Sequence, residues 1–227
     1  MFTYSIKLDK NKDIKNWRDW CNYTSYWFDW TKNIDPKYIN IVDKLRQCTL
    51  DECYLFMNEF IDNLYYERKK EINLTIEYAN LDFQKWFQKA CECMENVTEK
   101  PLYRNDFTIY LTSFPRWPYN YEEWYLLIPF FWDVHRYIWI FLHELQHFQI
   151  HAYYSNMFND ISSEQFHDIK ESMTVILNEE CAEFLVQEDK WYPNHQMLRE
   201  SILKYRIKKH NFEQTLIFAK NQLTKIN

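Results

Sequence analysis

A chain of 227 residues, 47% hydrophobic and 26% charged, carries enough apolar material for a substantial core, which excludes global disorder. It contains no glycine, so glycine-dependent phosphate loops and dinucleotide fingerprints drop out, and turns fall to Asn, Asp, Ser and Pro. A net charge of −6 leaves no electrostatic footprint for nucleic acid.

The elements follow in order. Phe2, Tyr4, Ile6 and Leu8 alternate with Thr3, Ser5 and Lys7, which predicts a half-buried strand over 2–8. An aromatic helix is expected from Asp13 to Thr31, with Trp17, Trp20, Trp27 and Trp30 as core rather than a ligand cage. Asp35-Pro36 restarts a helix with proline in its first turn. Thr49-Leu50-Asp51-Glu52 is a capping box opening a helix through at least Lys70, with Tyr54, Met57, Ile61, Leu64 and Tyr65 on one face. Another helix is expected from about Asn80 to Val97, with Phe83, Phe87 and Met94 inward.

Beyond Pro101 the texture changes. Phe107 to Thr112 alternates, Pro115, Pro118 and Asn120 turn the chain, and Glu122 to Phe130 reads as a second apolar strand ending near Pro129. Proline there suggests an edge or a terminus. Asp133 is the expected N-cap of the next helix, and an edge strand before it offers a place for an extended peptide to pair. Ser162 and Gln165 stand in capping-box positions for a helix reaching about Gln187. Pro193 begins a helix through Lys209, whose stretch from Lys204 to His210 reads as a solvated face, and Asn211-Phe212-Glu213-Gln214 caps a last helix.

Within the run Trp124 to Ile150, charged residues leave no stretch of the ~18 uncharged apolar residues a membrane span needs, so buried core is expected. The six cysteines, Cys21, Cys48, Cys53, Cys91, Cys93 and Cys181, form no C-x-x-C pair. With no secretory signal at the N-terminus, reduced thiols and a cytoplasmic location are expected.

The chemistry-bearing motif is His143-Glu144-Leu145-Gln146-His147. On a helix the two histidines stack one turn apart and can reach one Zn2+ ion, while Glu144 is turned by about 100° toward a bound water. A catalytic zinc needs a third protein ligand. His151 lies on the same helix but has drifted about 80° round the axis from His143, and reads as a supporting or surface residue. The longer form with a third histidine after a glycine is absent. A carboxylate from the later helix remains, and both Glu171 and Glu179 are physically reasonable.

His143-Glu144-Leu145-Gln146-His147 followed by a downstream glutamate resembles the gluzincin metallopeptidases. Their second signature, N-E-x-x-A/S-D/E, is loosely matched by Asn178 to Glu183 and nominates Glu179. The chain is also similar to a group of short bacterial H-E-x-x-H proteins of uncharacterised activity. That similarity rests on Asp106 to Thr112, Phe141 to Phe148, Lys170 to Val175, Tyr192-Pro193 with His195, and Arg199. It favours Glu171 as the third ligand, with Glu179 the alternative.

The expectation is therefore one zincin-like domain over 1–227, with 1–100 mainly helical scaffold and 101–227 the metal-site region. Its fold class is α+β and mostly α-helical, with a small antiparallel or mixed sheet packed on the metal helix and a downstream glutamate helix. The expected activity is that of a zinc metallopeptidase acting on a peptide or protein. Glu144 would be the general base, and Tyr192 or His195 the donor to the oxyanion, unless Tyr192 packs and His195 caps or faces solvent. Arg199 reads as a surface arginine or a holder of a substrate carboxylate. The competing readings are a zinc-stapled structural or interaction protein, and a helical binding module without metal.

Overall fold

The fold is described from a computed structural model covering residues 1–23, 29–116, 118–186, 188, 193–208 and 210–226. Strand β1 (Thr3–Leu8) is followed by helices α1 (Lys10–Asn22), α2 (Ile39–Leu45), α3 (Leu50–Glu67) and α4 (Lys69–Thr98). Strands β2 (Asp106–Thr112), β3 (Tyr119–Asn120) and β4 (Tyr125–Pro129) come next. The chain ends in α5 (Tyr137–Tyr154), α6 (Ser163–Met173), the one-turn α7 (Leu177–Glu180), α8 (Gln196–Arg206) and α9 (Phe212–Ile226). This is a mostly helical α+β architecture. It divides into two compact units: Thr3–Leu81 with Asp106–Val134, and Met1–Phe2 with Asp82–Asn105 and His135–Asn227.

The first unit holds a mixed four-stranded sheet in the order β1-β2-β4-β3. β1 and β4 both run parallel to β2, and β3 runs antiparallel to β4. The strand expected at an edge is therefore interior over its first residues: Tyr125 and Leu126 pair with Asn120 and Tyr119, and Leu127 N–H donates to the Pro118 carbonyl at 2.9 Å. Pro129 is tolerated because it is the last residue of β4, where the ladder ends.

α1 begins three residues earlier than expected because Asp9, not a later residue, caps it, its carboxylate accepting from Lys12 N–H at 3.1 Å. It ends at Asn22, and Trp30 falls in a separate 3₁₀ turn, while Trp27 lies outside the described residues. Trp17 is core, as expected, and Arg116 lies over the rings of both Trp20 and Trp30 at 4.6 and 4.7 Å. Asp13, in the first turn of α1, is fully buried, with no ion-pair partner among the described residues. It accepts from Ser113 N–H at 3.0 Å, Ser113 Oγ at 2.7 Å, Tyr65 Oη at 2.8 Å and Thr112 Oγ1, tying α1 to the end of β2. Burial nevertheless pushes its carboxyl above the ordinary range.

The capping box at Thr49 and Glu52 forms as expected. Cys48 and Cys53, at the positions where a hydrophobic staple would close such a helix start, are joined by a disulfide with 5.9 Å between Cα atoms. In the second unit Cys93 is bonded to Cys181. The expectation of six reduced thiols is thus corrected: only Cys21 and Cys91 are free, and both are buried.

α4 starts eleven residues before the expected Asn80, directly after Arg68. No glycine or proline interrupts it, and Ile72, Thr75, Ala79, Phe83, Phe87, Ala90 and Met94 keep a three-to-four-residue spacing of buried positions. With no glycine in the chain, the left-handed residue after α4 is Glu99, at φ 55°. Its carboxylate accepts from Arg206 at 3.2 Å and from Phe212 N–H at 3.3 Å, which holds it there. Arg206 also pairs with Glu180 at 2.6 Å, so it leaves the solvated face expected for 204–210.

Candidate metal centre

All residues of the candidate site belong to the second unit. α5 is apolar nearly all round, and its residues from Tyr137 to Ile150 are buried. Among the described residues no helix is long and apolar enough to cross a membrane. Phe141 meets Phe83 and Phe87 of α4 with ring centroids 5.9 and 5.2 Å apart, which fixes the rotation of α5. Gln149 Nε2 donates to Thr98 Oγ1 at 3.3 Å and to the Pro101 carbonyl at 3.2 Å, fixing its axial position. The helix is entered through a 3₁₀ turn, Val134–Arg136, which directly follows Asp133.

α6 starts at the expected Ser162–Gln165 capping box. It does not run on to Gln187, which lies outside the described residues, but ends at Met173, followed by a 3₁₀ turn over Thr174–Ile176, then α7 and a second turn, Ala182–Phe184. The cause is local. Thr174 Oγ1 donates to the Glu171 carbonyl at 2.8 Å, and Arg199 Nη1 donates to that carbonyl at 2.9 Å and to Thr174 Oγ1 at 3.0 Å. These bonds close the end of the helix where three β-branched residues, Thr174, Val175 and Ile176, follow. Arg199 is 2% exposed, so the surface reading does not describe it.

This break separates the two glutamates. Glu171 is buried on α6, whereas Glu179 is exposed on α7. The structure brings His143, His147 and Glu171 together, and does not bring Glu179 to them. His143 Nε2 and His147 Nε2 are 3.1 Å apart; His143 Nε2 lies 3.4 Å from Glu171 Oε2, and His147 Nε2 lies 3.4 Å from Glu171 Oε1. Donor atoms about 2.05 Å from one ion at tetrahedral angles stand about 3.3 Å apart, and the nitrogen–nitrogen separation and the two nitrogen–oxygen separations, each to a different oxygen of Glu171, are of that size. Two imidazole nitrogens and a carboxylate oxygen are also the donor types such an ion takes. The residues present fit the ion.

The electrostatics agree with neutral imidazole ligands. Burial drives His147 down to about 3, so it carries no proton to displace near neutral pH. Burial opposes ionisation of Glu171, but His147 and then His143 outweigh it and hold the carboxyl well below its usual range. Gln146 Nε2 donates to the Met173 carbonyl at 3.2 Å, joining α5 to the end of α6 beside the ligands. Glu144 is buried on α5, and its carboxylate acts electrostatically on Lys170.

Further polar groups lie on α6 and its neighbours, and His167 and Asp168 among them carry no expectation from the sequence. His167 stands one turn before Glu171, with Nδ1 3.8 Å from Glu171 Oε1. Lys170 is buried, its Nζ 3.0 Å from His151 Nε2, and burial lowers it to about 8. His151 is thus a partner of Lys170 and not one of the metal-donor group. His195 is buried at the N-cap of α8, where its side chain makes no capping bond, and its Nε2 is 3.1 Å from Asp168 Oδ1. That excludes the solvent-facing and capping readings. Tyr192 lies outside the described residues. His167 and Asp168 had a legible signal, since they sit four and three residues before Glu171 and so share its face of α6.

Comparison with protein-family models, curated proteins and solved structures found no match.

Proposed function

We propose that this chain is a zinc-dependent hydrolase of peptide bonds, with α5 as metal helix and α6 as glutamate helix of a zincin-like site. The observation that carries the reading is the buried cluster of His143, His147 and Glu171, with the two Nε2 atoms 3.1 Å apart and each 3.4 Å from a different oxygen of Glu171, and with Glu144 next to the first ligand. Zinc, when bound, supplies Lewis acidity that brings the pKa of a water toward ~7. Glu144 takes the proton of the attacking water on its carboxylate and passes it to the leaving amine. His195, held by Asp168, is the donor assigned to the developing oxyanion, a role shared in this proposal with Tyr192. Arg199 positions Glu171 by fixing the carbonyl of the same residue.

One observation favours a second reading. His143, Glu144, His147 and Glu171 are all no more than 5% exposed, which suits a zinc that staples α5 to α6 without turnover. Metal analysis of purified protein followed by peptide-library cleavage, with wild type and Glu144→Gln, separates these. About one zinc per chain with cleavage by wild type alone supports the hydrolase. Zinc without cleavage in either protein supports the staple, and less than about a tenth of an equivalent of zinc removes both.

A further inference from the structure

The first unit contains a cavity that the proposed hydrolase does not use. It lies beyond the carboxyl ends of the neighbouring parallel strands β2 and β4, lined there by Ser113 and by Phe130 and Phe131. Ligands of open parallel sheets bind in the same position, outside the strand ends. Its volume is about 180 Å³. An apolar cavity of ~150 Å³ is enough to accept benzene, so a single ring or a branched aliphatic chain fits.

The lining divides by chemistry. Trp17, Leu64 and Phe130 are buried and form an apolar interior. Trp17 packs edge-on to Tyr38, with centroids 6.4 Å apart, and both residues line the space. Ser113 Oγ is already committed, donating to Asp13 and accepting from Trp17 Nε1, so the floor asks nothing polar of a guest. Charge is confined to two exposed residues of opposite sign, Arg68 and Asp35, which feel one another electrostatically. Arg68 uses Nη1 on Glu71 at 2.8 Å, and Asp35 approaches Lys37 Nζ at 3.4 Å. Exposed pairs of this kind are weak and exchange partners at little cost.

We propose that this cavity binds a free α-amino acid with a single-ring or branched apolar side chain, its carboxylate on Arg68 and its ammonium on Asp35. A guest with only one charge satisfies one of these residues and is opposed by the other, so the zwitterion is the complementary ligand.

The test uses the full chain and four probes in isothermal titration and ligand-observed NMR: L-phenylalanine, phenylacetate, phenethylamine and toluene. L-Phenylalanine is expected to bind at least about tenfold more tightly than phenylacetate or phenethylamine. Arg68→Gln should weaken L-phenylalanine about tenfold and leave phenethylamine no weaker, and Asp35→Asn should weaken phenethylamine. Ile34→Trp, on the half-buried wall, should abolish binding of all four probes by filling the space. Circular dichroism of that variant checks its fold, and the two exposed variants test the assignment independently of it. The proposal is overturned by no binding of L-phenylalanine at about 10 mM. Phenylacetate binding as tightly as L-phenylalanine, or affinity unchanged in folded Ile34→Trp, overturns it equally.

Discussion

Single residues divide the labour at the candidate centre by where their atoms fall. Glu144→Gln keeps shape and burial but removes the proton acceptor, so zinc content is expected to stay near one per chain while cleavage drops by about 10²–10⁴-fold. Unchanged cleavage would remove Glu144 from its role. Glu171→Gln, by contrast, is expected to lose most bound zinc, and Glu179→Gln to keep it, because only the first lies within 3.4 Å of both imidazole nitrogens. Zinc titration of the two variants decides this, and equal loss would contradict the geometry. The pair His143 and His147 was legible in the sequence, since a four-residue spacing on one helix fixes two Nε2 atoms by local geometry alone. The choice between Glu171 and Glu179 was not, because both lay on what read as one continuous helix.

At the scale of elements, the end of α6 decides which glutamate is buried. Arg199 reaches from α8 to the Glu171 carbonyl and to Thr174 Oγ1, an interaction that joins residues 28 and 25 positions apart. Arg199→Ala is expected to cost about 1–3 kcal/mol, the penalty of buried acceptors left unmet. It should also weaken zinc binding about 10–100-fold through Glu171. Urea denaturation and metal titration measure the two effects, and wild-type values in both would show that the clamp is incidental. Capping boxes at Thr49 and Ser162 were readable because their partners lie three residues away. The early start of α4 was not, because the first turns of that helix expose Lys69, Lys70, Asn73 and Leu74 and bury only Ile72 and Thr75, whose hydroxyl donates to the distant Phe130 carbonyl at 2.9 Å.

Over the whole molecule, buried titratable groups set the response to acid. His147 and His151 are both driven to about 3, by burial first and, for His151, by the charge of Lys170 second. Their folded pKa values are depressed below 6.5, so the stability they contribute is present above that pH and lost as pH falls toward about 3. Glu171, also depressed, acts in the same sense below its ordinary range. Asp13 acts oppositely, since its raised pKa contributes stability that is complete in acid and lost as pH rises. The metal-free protein is therefore expected to lose urea resistance between about pH 7.5 and about pH 5, and His151→Gln to lose less. Equal slopes for both proteins would place the acid response elsewhere. Zinc at about 100 times its Kd should add about 2.7 kcal/mol to the folded state, read as a rise in Tm that chelation reverses.

By itself the sequence determined what depends on near neighbours. The period-two strands, the capping boxes, the apolar helix around His143 and His147, and the absence of glycine loops all follow from contacts a few residues apart. Only the tertiary structure decided the rest. The Asp13 knot binds positions 100 apart, Cys93 meets Cys181 across 88 residues, and Arg199 ends α6 from a later helix. The third donor of the candidate metal centre belongs to that second class. A helix end is set by where its carbonyls find partners, and for Glu171 that partner lies outside its own helix.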